Sequence, residues 1–225
     1  MKKIARIRTD FPTKFGVPRQ SGLVPELKAK VVFEPLYRVR EAVRGLENFS
    51  HIWLLWEFSE SRMDGWSPTV RPPRLGGNTR VGVFATRSPF RPHPIGLSVV
   101  RLEGVESDPV LGPVLLVSGA DMTDGTPIYD IKPYLPYVDC CPEASNGFAC
   151  TDPAPLTVEI PEECLAAVPA EKRDALRKVL AEDPRPAYQD DPERVYGLVF
   201  AGVEVRFTVR DGLLRVCNVC AVSTS

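Results

Sequence analysis

Apolar and polar residues alternate with a period of two along several short stretches of this chain. Over residues 2–9, Ala5 and Ile7 oppose Ile4, Arg6 and Arg8, which predicts a strand with one wet face. Residues 28–34 alternate in the same way, and residues 41–46 read as a short helical turn ending near Gly45. The run IWLLWEF at 52–58 predicts a buried strand with Trp53 and Trp56 in the core. Residues 81–85, 95–106 and 114–118 predict further strands, separated by Gly and Pro. Many short strands with turn signals and little helix predict a closed or nearly closed β barrel.

The texture changes near residue 151. Residues 140–155 are rich in Cys, Pro, Ala and Ser and read as a linker. Residues 161–167 and 170–180 are helical in pattern, with Leu176, Val179 and Leu180 on one face, and Asp183-Pro184-Arg185-Pro186 stops the second helix. Residues 195–201, 203–209 and 213–219 predict three strands, the last two joined by an Asp211-Gly212 turn. The expected architecture is mainly β: a barrel domain over 1–150 and a small α+β domain over 151–225.

Composition adds three constraints. With 225 residues, 44% of them hydrophobic, the chain can bury a real core. Its apolar runs fall short of the roughly 20 residues that a membrane helix needs, and the first residues carry no apolar signal core. A soluble, cytoplasmic protein is expected, with no membrane partner. The net charge of −1 conceals an asymmetry: residues 1–100 hold 17 basic against 8 acidic residues, and residues 101–225 hold 11 against 21. Such a split suggests a basic face for a polyanion. Six cysteines, at 140, 141, 150, 164, 217 and 220, are expected as free thiols. Cys217 and Cys220 have metal-like spacing, but residues three apart on a strand point to opposite faces. Buried small hydrophobes are expected there, and no metal.

The chemistry concentrates in three loops. Residues 66–98 crowd prolines and five arginines around the short apolar segment 81–85. Proline fixes the backbone, and arginine offers planar forks for phosphate, carboxylate or a stacked base. Residues 121–134 gather Asp121, Asp124, Asp130, Lys132 and two tyrosines around Gly125-Thr126-Pro127, as a ligand loop would. Pro18-Arg19-Gln20-Ser21-Gly22-Leu23 is the third. No GxGxxG follows a strand, and GxxxxGK[ST] and GxSxG are absent, so a Rossmann loop, a P-loop and a nucleophile elbow are excluded. Trp66 could stack a base.

These segments together resemble the TsaA/YaeB family, the bacterial tRNA methyltransferase O type. The matching stretches are KFGVPRQSGLVP (14–25), EAVRGLENFSHIWLLWEF (41–58), GW-P-VRPPRLGGN-RVGVFATRSPFRPHPIGLS (65–98, without residues 67, 69 and 79), DGTPIYDIKPYLPY (124–137) and LAEDPRPAYQ (180–189). The resemblance implies a single-sheeted barrel that binds S-adenosylmethionine, and a homodimer with the cofactor near the subunit contact. It implies methylation of the exocyclic amine of threonylcarbamoyl-adenosine beside the anticodon of tRNA, with the C-terminal unit helping to hold the tRNA. Carried over by position, the cofactor residues are Ser21, Gly22, Leu23, Ser59, Glu60, Arg87, Leu97, Gly125, Thr126, Pro127 and Ile128. His93 stands where the family usually has Asn, and Ser59-Glu60 replaces a His-Gln-like pair.

On this reading Arg87 could clamp the cofactor carboxylate as a bidentate fork. The acceptor amine is amide-like and a poor nucleophile, so a carboxylate or tyrosine must help remove its proton. Asp130 is the expected acceptor, with Lys132 as electrostatic partner for the substrate carboxylate. An ion pair that merely steadies a strand is the alternative for both. Arg19, Arg74 and Arg91 are expected to face tRNA phosphates or the cofactor. The anticodon loop is single-stranded, so its target base can be splayed out and stacked.

Overall fold

The computed structural model describes residues 1–61, 65–149, 154–186 and 191–222, with the Arg74 side chain and Cys150 outside them. Strands β1 (Ala5–Arg8), β2 (Lys28–Phe33) and β3 (His51–Glu57) come first. The two-residue strands β4 (Thr69–Val70) and β5 (Val81–Gly82) pair in the Pro/Arg-rich excursion. Then follow β6 (Ile95–Asp108), β7 (Gly112–Ser118) and β8 (Pro127–Pro133). Six of these strands close into a barrel in the order β1-β2-β7-β6-β3-β8. All its pairings are antiparallel.

The period of two decides which side chains fill the barrel. Ala5, Ile7, Val31, Ile52, Leu54, Val100, Leu115 and Ile128 point inward and are buried. Trp56 also turns inward, and Gly96, its register partner on β6, makes room: a Cβ there would sit 2.2 Å from the indole. Trp53 alternates to the outer face and is only half-buried, its indole N–H donating to Asp139 at 3.0 Å. Residues 81–85, expected as one strand, divide into β5 and a 3-10 turn over Val83–Ala85. The Thr86 hydroxyl and N–H both donate to the Val83 carbonyl and close that turn.

The short helix α1 (Pro136–Asp139) follows the barrel. The second unit holds β9 (Thr157–Glu159), α2 (Glu162–Ala166), α3 (Arg173–Ala181), β10 (Tyr196–Phe200), β11 (Val203–Arg210) and β12 (Leu213–Ala221). Its sheet runs β10-β11-β12-β9, with β9 parallel to β12. The pattern of the sequence did not reveal β9, which is only three residues long on an edge.

One expectation fails in this sheet. Cys217 and Cys220 are both exposed, not buried. The register slips between Arg206 and Phe207, so Cys217 is the extra residue of a bulge and the alternation restarts after it. Val219 therefore turns toward the core, and both thiols face outward. Cys140, Cys141, Cys217 and Cys220 are expected to react with a thiol reagent in the native protein, and Cys164 only after unfolding. Protection of Cys217 in the native state would contradict this register.

The second core is not built from the C-terminal residues alone. Phe11, Val24 and Leu27, from the loop between β1 and β2, are buried in it together with Leu176, Leu198, Phe200 and Phe207. The Phe11 and Phe200 ring centroids lie 5.2 Å apart. Gly16 has φ +84, and a Cβ there would meet Leu198 Cδ1 at 2.2 Å, so only glycine fits. Lys172 pairs with Asp10 at 2.6 Å and Lys178 with Glu26 at 2.8 Å. The Lys178 ammonium holds the Glu26 carboxyl below its ordinary range. The other edge of the loop is tied to the barrel, where the Gly22 N–H donates to the Gly119 carbonyl and the Asp124 N–H to the Phe11 carbonyl, both at 2.8 Å.

Candidate active site

A cleft of about 800 Å³ opens where this loop meets β3 and β6. Its volume lies within the range typical of cofactor sites, roughly 300–1,000 Å³. One wall is the loop, with Lys14, Pro18, Arg19, Gln20 and Ser21. The floor comes from the barrel, with Trp53, Trp56, Glu57, Leu97 and Ser98. Residues 87–93 close a third side with Arg87, Arg91 and His93. Asp121 and Thr126 reach it from the segment before β8.

A chain of hydrogen bonds runs from the barrel interior to this surface. The Trp56 indole N–H donates to Ser98 Oγ at 2.9 Å, and the Ser98 hydroxyl donates to Asp121 Oδ1 at 2.6 Å. Burial pushes the Asp121 carboxyl above its ordinary range, against the Ser98 hydroxyl, the Ser21 N–H and the charge of Arg87, which all favour the ionised form. A cleft carboxyl perturbed in this way is where proton chemistry is expected. Nearby, the Arg87 guanidinium donates to the Gln20 side-chain carbonyl, which ties residues 87–93 to the loop. The Tyr129 hydroxyl donates to buried Glu57 at the register shift between Leu55 and Trp56.

Of the residues expected from sequence, Arg19, Ser21, Ser59, Glu60, Arg87, Arg91, Leu97 and Thr126 line the cleft. Gly22 and Leu23 follow Ser21 in the loop but lie outside the lining. Gly125, Pro127 and Ile128 stand behind Thr126. Ile128 is fully buried in the barrel, and its backbone carbonyl accepts from Ile4. Pro127 and Ile128 pair with Arg6 and Ala5 of β1, and the Gly125 N–H donates to the Ile7 carbonyl.

Asp130 and Lys132 stand apart from these residues. They pair with each other at 3.1 Å on the barrel exterior, partly exposed, and neither lines the cleft. In register they stand opposite Leu55 and Trp53 of β3, beside the shift between Leu55 and Trp56. Arg74 keeps no structural account, since its side chain lies outside the described residues. Lys14, Gln20, Ser98 and Asp121 were missed as cleft residues. Asp121 sat in the segment singled out, but only its pairing with Ser98 shows which of the three carboxylates faces inward. Among the described residues, no group of three or more His, Cys, Asp or Glu is arranged to hold a metal.

Two family models match this chain: the tRNA-methyltransferase O N-terminal domain over residues 6–140, and the TrmO C-terminal domain over 153–222. The chain belongs to the tRNA-methyltransferase O family. A tRNA (adenine(37)-N6)-methyltransferase of Escherichia coli K12 is 44% identical over 229 residues, covering 96% of this chain and 95% of that one. A protein of the same name from Eikenella corrodens is 49% identical over 176 residues, 78% of this chain and 99% of that one. The crystal structure of TrmO from Pseudomonas aeruginosa superposes with a TM-score of 0.80 at 35% identity, covering 98% and 97% of the two chains. The family match spans both the cleft and the loop that links it to the second core.

Proposed function

We propose that this chain is an S-adenosylmethionine-dependent methyltransferase acting on N6 of adenine 37 in tRNA. The finer substrate is threonylcarbamoyl-adenosine in the anticodon loop. The supporting observation is a cleft of cofactor size, rimmed by cations and lined by the buried carboxyl of Asp121, in a chain of this family. The domain division at residue 150 belongs to the same reading, with the C-terminal unit both holding the cofactor loop and aiding the grip on tRNA.

The residues present fit the cofactor. Arg87 supplies a charged fork for its carboxylate, Leu97 and Trp53 supply apolar surface, and Ser21 and Thr126 supply polar groups at the wall. Ser59, Glu60, Gly22, Leu23, Gly125, Pro127 and Ile128 remain assigned around it, the last three as support. When bound, S-adenosylmethionine supplies a methyl group on a sulfonium, an electrophile that needs no metal or acid. The chain's part is to align the acceptor amine, exclude water and take the proton. Asp121 is the proton acceptor on this reading: its carboxylate faces the cleft, and burial raises its basicity. Arg19 and Arg91, at the rim, would hold phosphate.

A second copy of the chain is proposed to cover Leu97, which is 56% exposed on the outer face of β6 beside the cleft. Arg87→Ala is expected to weaken cofactor binding about 10- to 150-fold, the loss of a charge-assisted hydrogen bond at about 1.5–3 kcal/mol. Calorimetric titration with S-adenosylmethionine measures this. Unchanged affinity in the variant would remove Arg87 from the cofactor site, and absence of binding by the unaltered protein would overturn the enzyme reading.

A further inference from the structure

Residues 65–94 leave the barrel between β3 and β6 and carry five arginines, one histidine and no carboxylate. Arg71, Arg80, Arg87 and Arg91 make no ion pair among the described residues. Arg80 donates to the Thr69 hydroxyl at 2.8 Å and Arg91 to the Thr86 carbonyl at 3.1 Å, contacts that aim the guanidinium groups without neutralising them. On the same excursion Trp66 is 54% exposed and Phe84 is 71% exposed. Their ring centroids are 6.1 Å apart, with 31° between planes. Neither ring joins either hydrophobic core.

A water-facing aromatic pair inside an unneutralised cationic segment has a specific chemical complement. Single-stranded nucleic acid offers flat base faces to the rings and phosphates to the guanidinium groups. A second copy of this chain would have to bring carboxylates to several arginines at once. The same excursion continues into the cleft wall through Arg87, Pro89, Arg91 and His93. A strand lying on the exposed rings is thereby led toward the reacting position.

We propose that Trp66 and Phe84 form a stacking platform for an unpaired tRNA base beside the one being methylated, with Arg71 and Arg80 holding its phosphates. This rests on the tRNA reading above. Prolines at 68, 72 and 73 stiffen the platform, so little order has to be gained on binding.

The test uses the full-length protein and intact tRNA, with affinity measured across a salt series. Trp66→Ala is expected to weaken tRNA binding at least about fivefold, the low end of base stacking, with the salt slope unchanged. Trp66→Phe should retain most of the affinity, and Arg71→Gln should reduce the salt slope by about one. Cofactor affinity, measured on each variant, should stay unaltered, because neither residue lines the cleft. If the unaltered protein binds tRNA and Trp66→Ala binds it equally well, the platform is overturned while the function stands. If Trp66→Ala instead splits a dimer and leaves RNA affinity alone, the patch belongs to a second copy and the proposal fails. If the unaltered protein binds no tRNA, the function itself falls and takes the platform with it.

Discussion

Asp121→Asn is expected to lower the rate of methyl transfer by about 10²- to 10⁴-fold at neutral pH, the usual share of a general base. Cofactor affinity should change far less, because the amide keeps the size and one acceptor of the carboxylate. Single-turnover transfer of labelled methyl groups separates the two effects. The pH profile carries a second signature. The base must be ionised, so activity falls as pH drops through the Asp121 pKa, and that limb should lie above the ordinary aspartate range. Stability shows the opposite sign. The folded state holds this proton more tightly than the unfolded chain, so the contribution of Asp121 is present below its unfolded pKa. It is lost as pH rises through the raised folded value. The unfolding free energy of the unaltered protein relative to Asp121→Asn should therefore decline across that window. A variant with normal transfer rates and an unchanged acid limb would remove Asp121 as the proton acceptor.

The other large effect concerns a residue well away from the chemistry. Phe11→Ala is expected to destabilise the protein by about 3–5 kcal/mol, the range for emptying a buried phenylalanine site. Phe11 is 1% exposed and packs on Phe200, so its loss opens a cavity where the loop from the barrel enters the second core. Because that loop also supplies Lys14, Arg19, Gln20 and Ser21 to the cleft, cofactor affinity should fall with stability. Denaturant titration and cofactor titration on the same sample test this coupling. Gly16→Ala probes the same contact from the other side, through a strained φ and a clash with Leu198. A Phe11→Ala protein that is destabilised yet binds cofactor normally would show that the loop does not depend on the second core for its shape.

Much of the barrel was legible because strands have a simple period. Ala5 and Ile7, Ile52 and Leu54, and Val100 and Leu102 alternate as the sequence predicts, and they fill the interior. What defeated the pattern near the C-terminus was the bulge. Cys217 is outward by simple alternation after Leu214 and Val216, and the extra residue then reverses the alternation, so Val219 turns toward the core and Cys220 faces outward as well. No local feature of those sequences marks an inserted residue, since a bulge is defined by the partner strand. The residues that the family resemblance singled out include Arg87, Ser21, Leu97 and Thr126, which the structure brings together around one cleft. Ile128, from the same motif as Thr126, lies buried in the barrel and outside the lining. The division into a barrel and a separate unit also hid the sharing of Phe11, Val24 and Leu27. Those residues read as an ordinary loop until Leu198 and Phe200 are folded against them.

The central claim is that the cleft between this loop and the barrel binds S-adenosylmethionine and delivers its methyl group to one adenine. The most direct measurement is transfer of a labelled methyl group to tRNA carrying threonylcarbamoyl-adenosine and to the same tRNA lacking it, followed by digestion and mapping of the label. The account predicts label on N6 at position 37 of the modified tRNA only, abolished by Asp121→Asn. Label at another position, or no transfer despite clear cofactor binding, would contradict it.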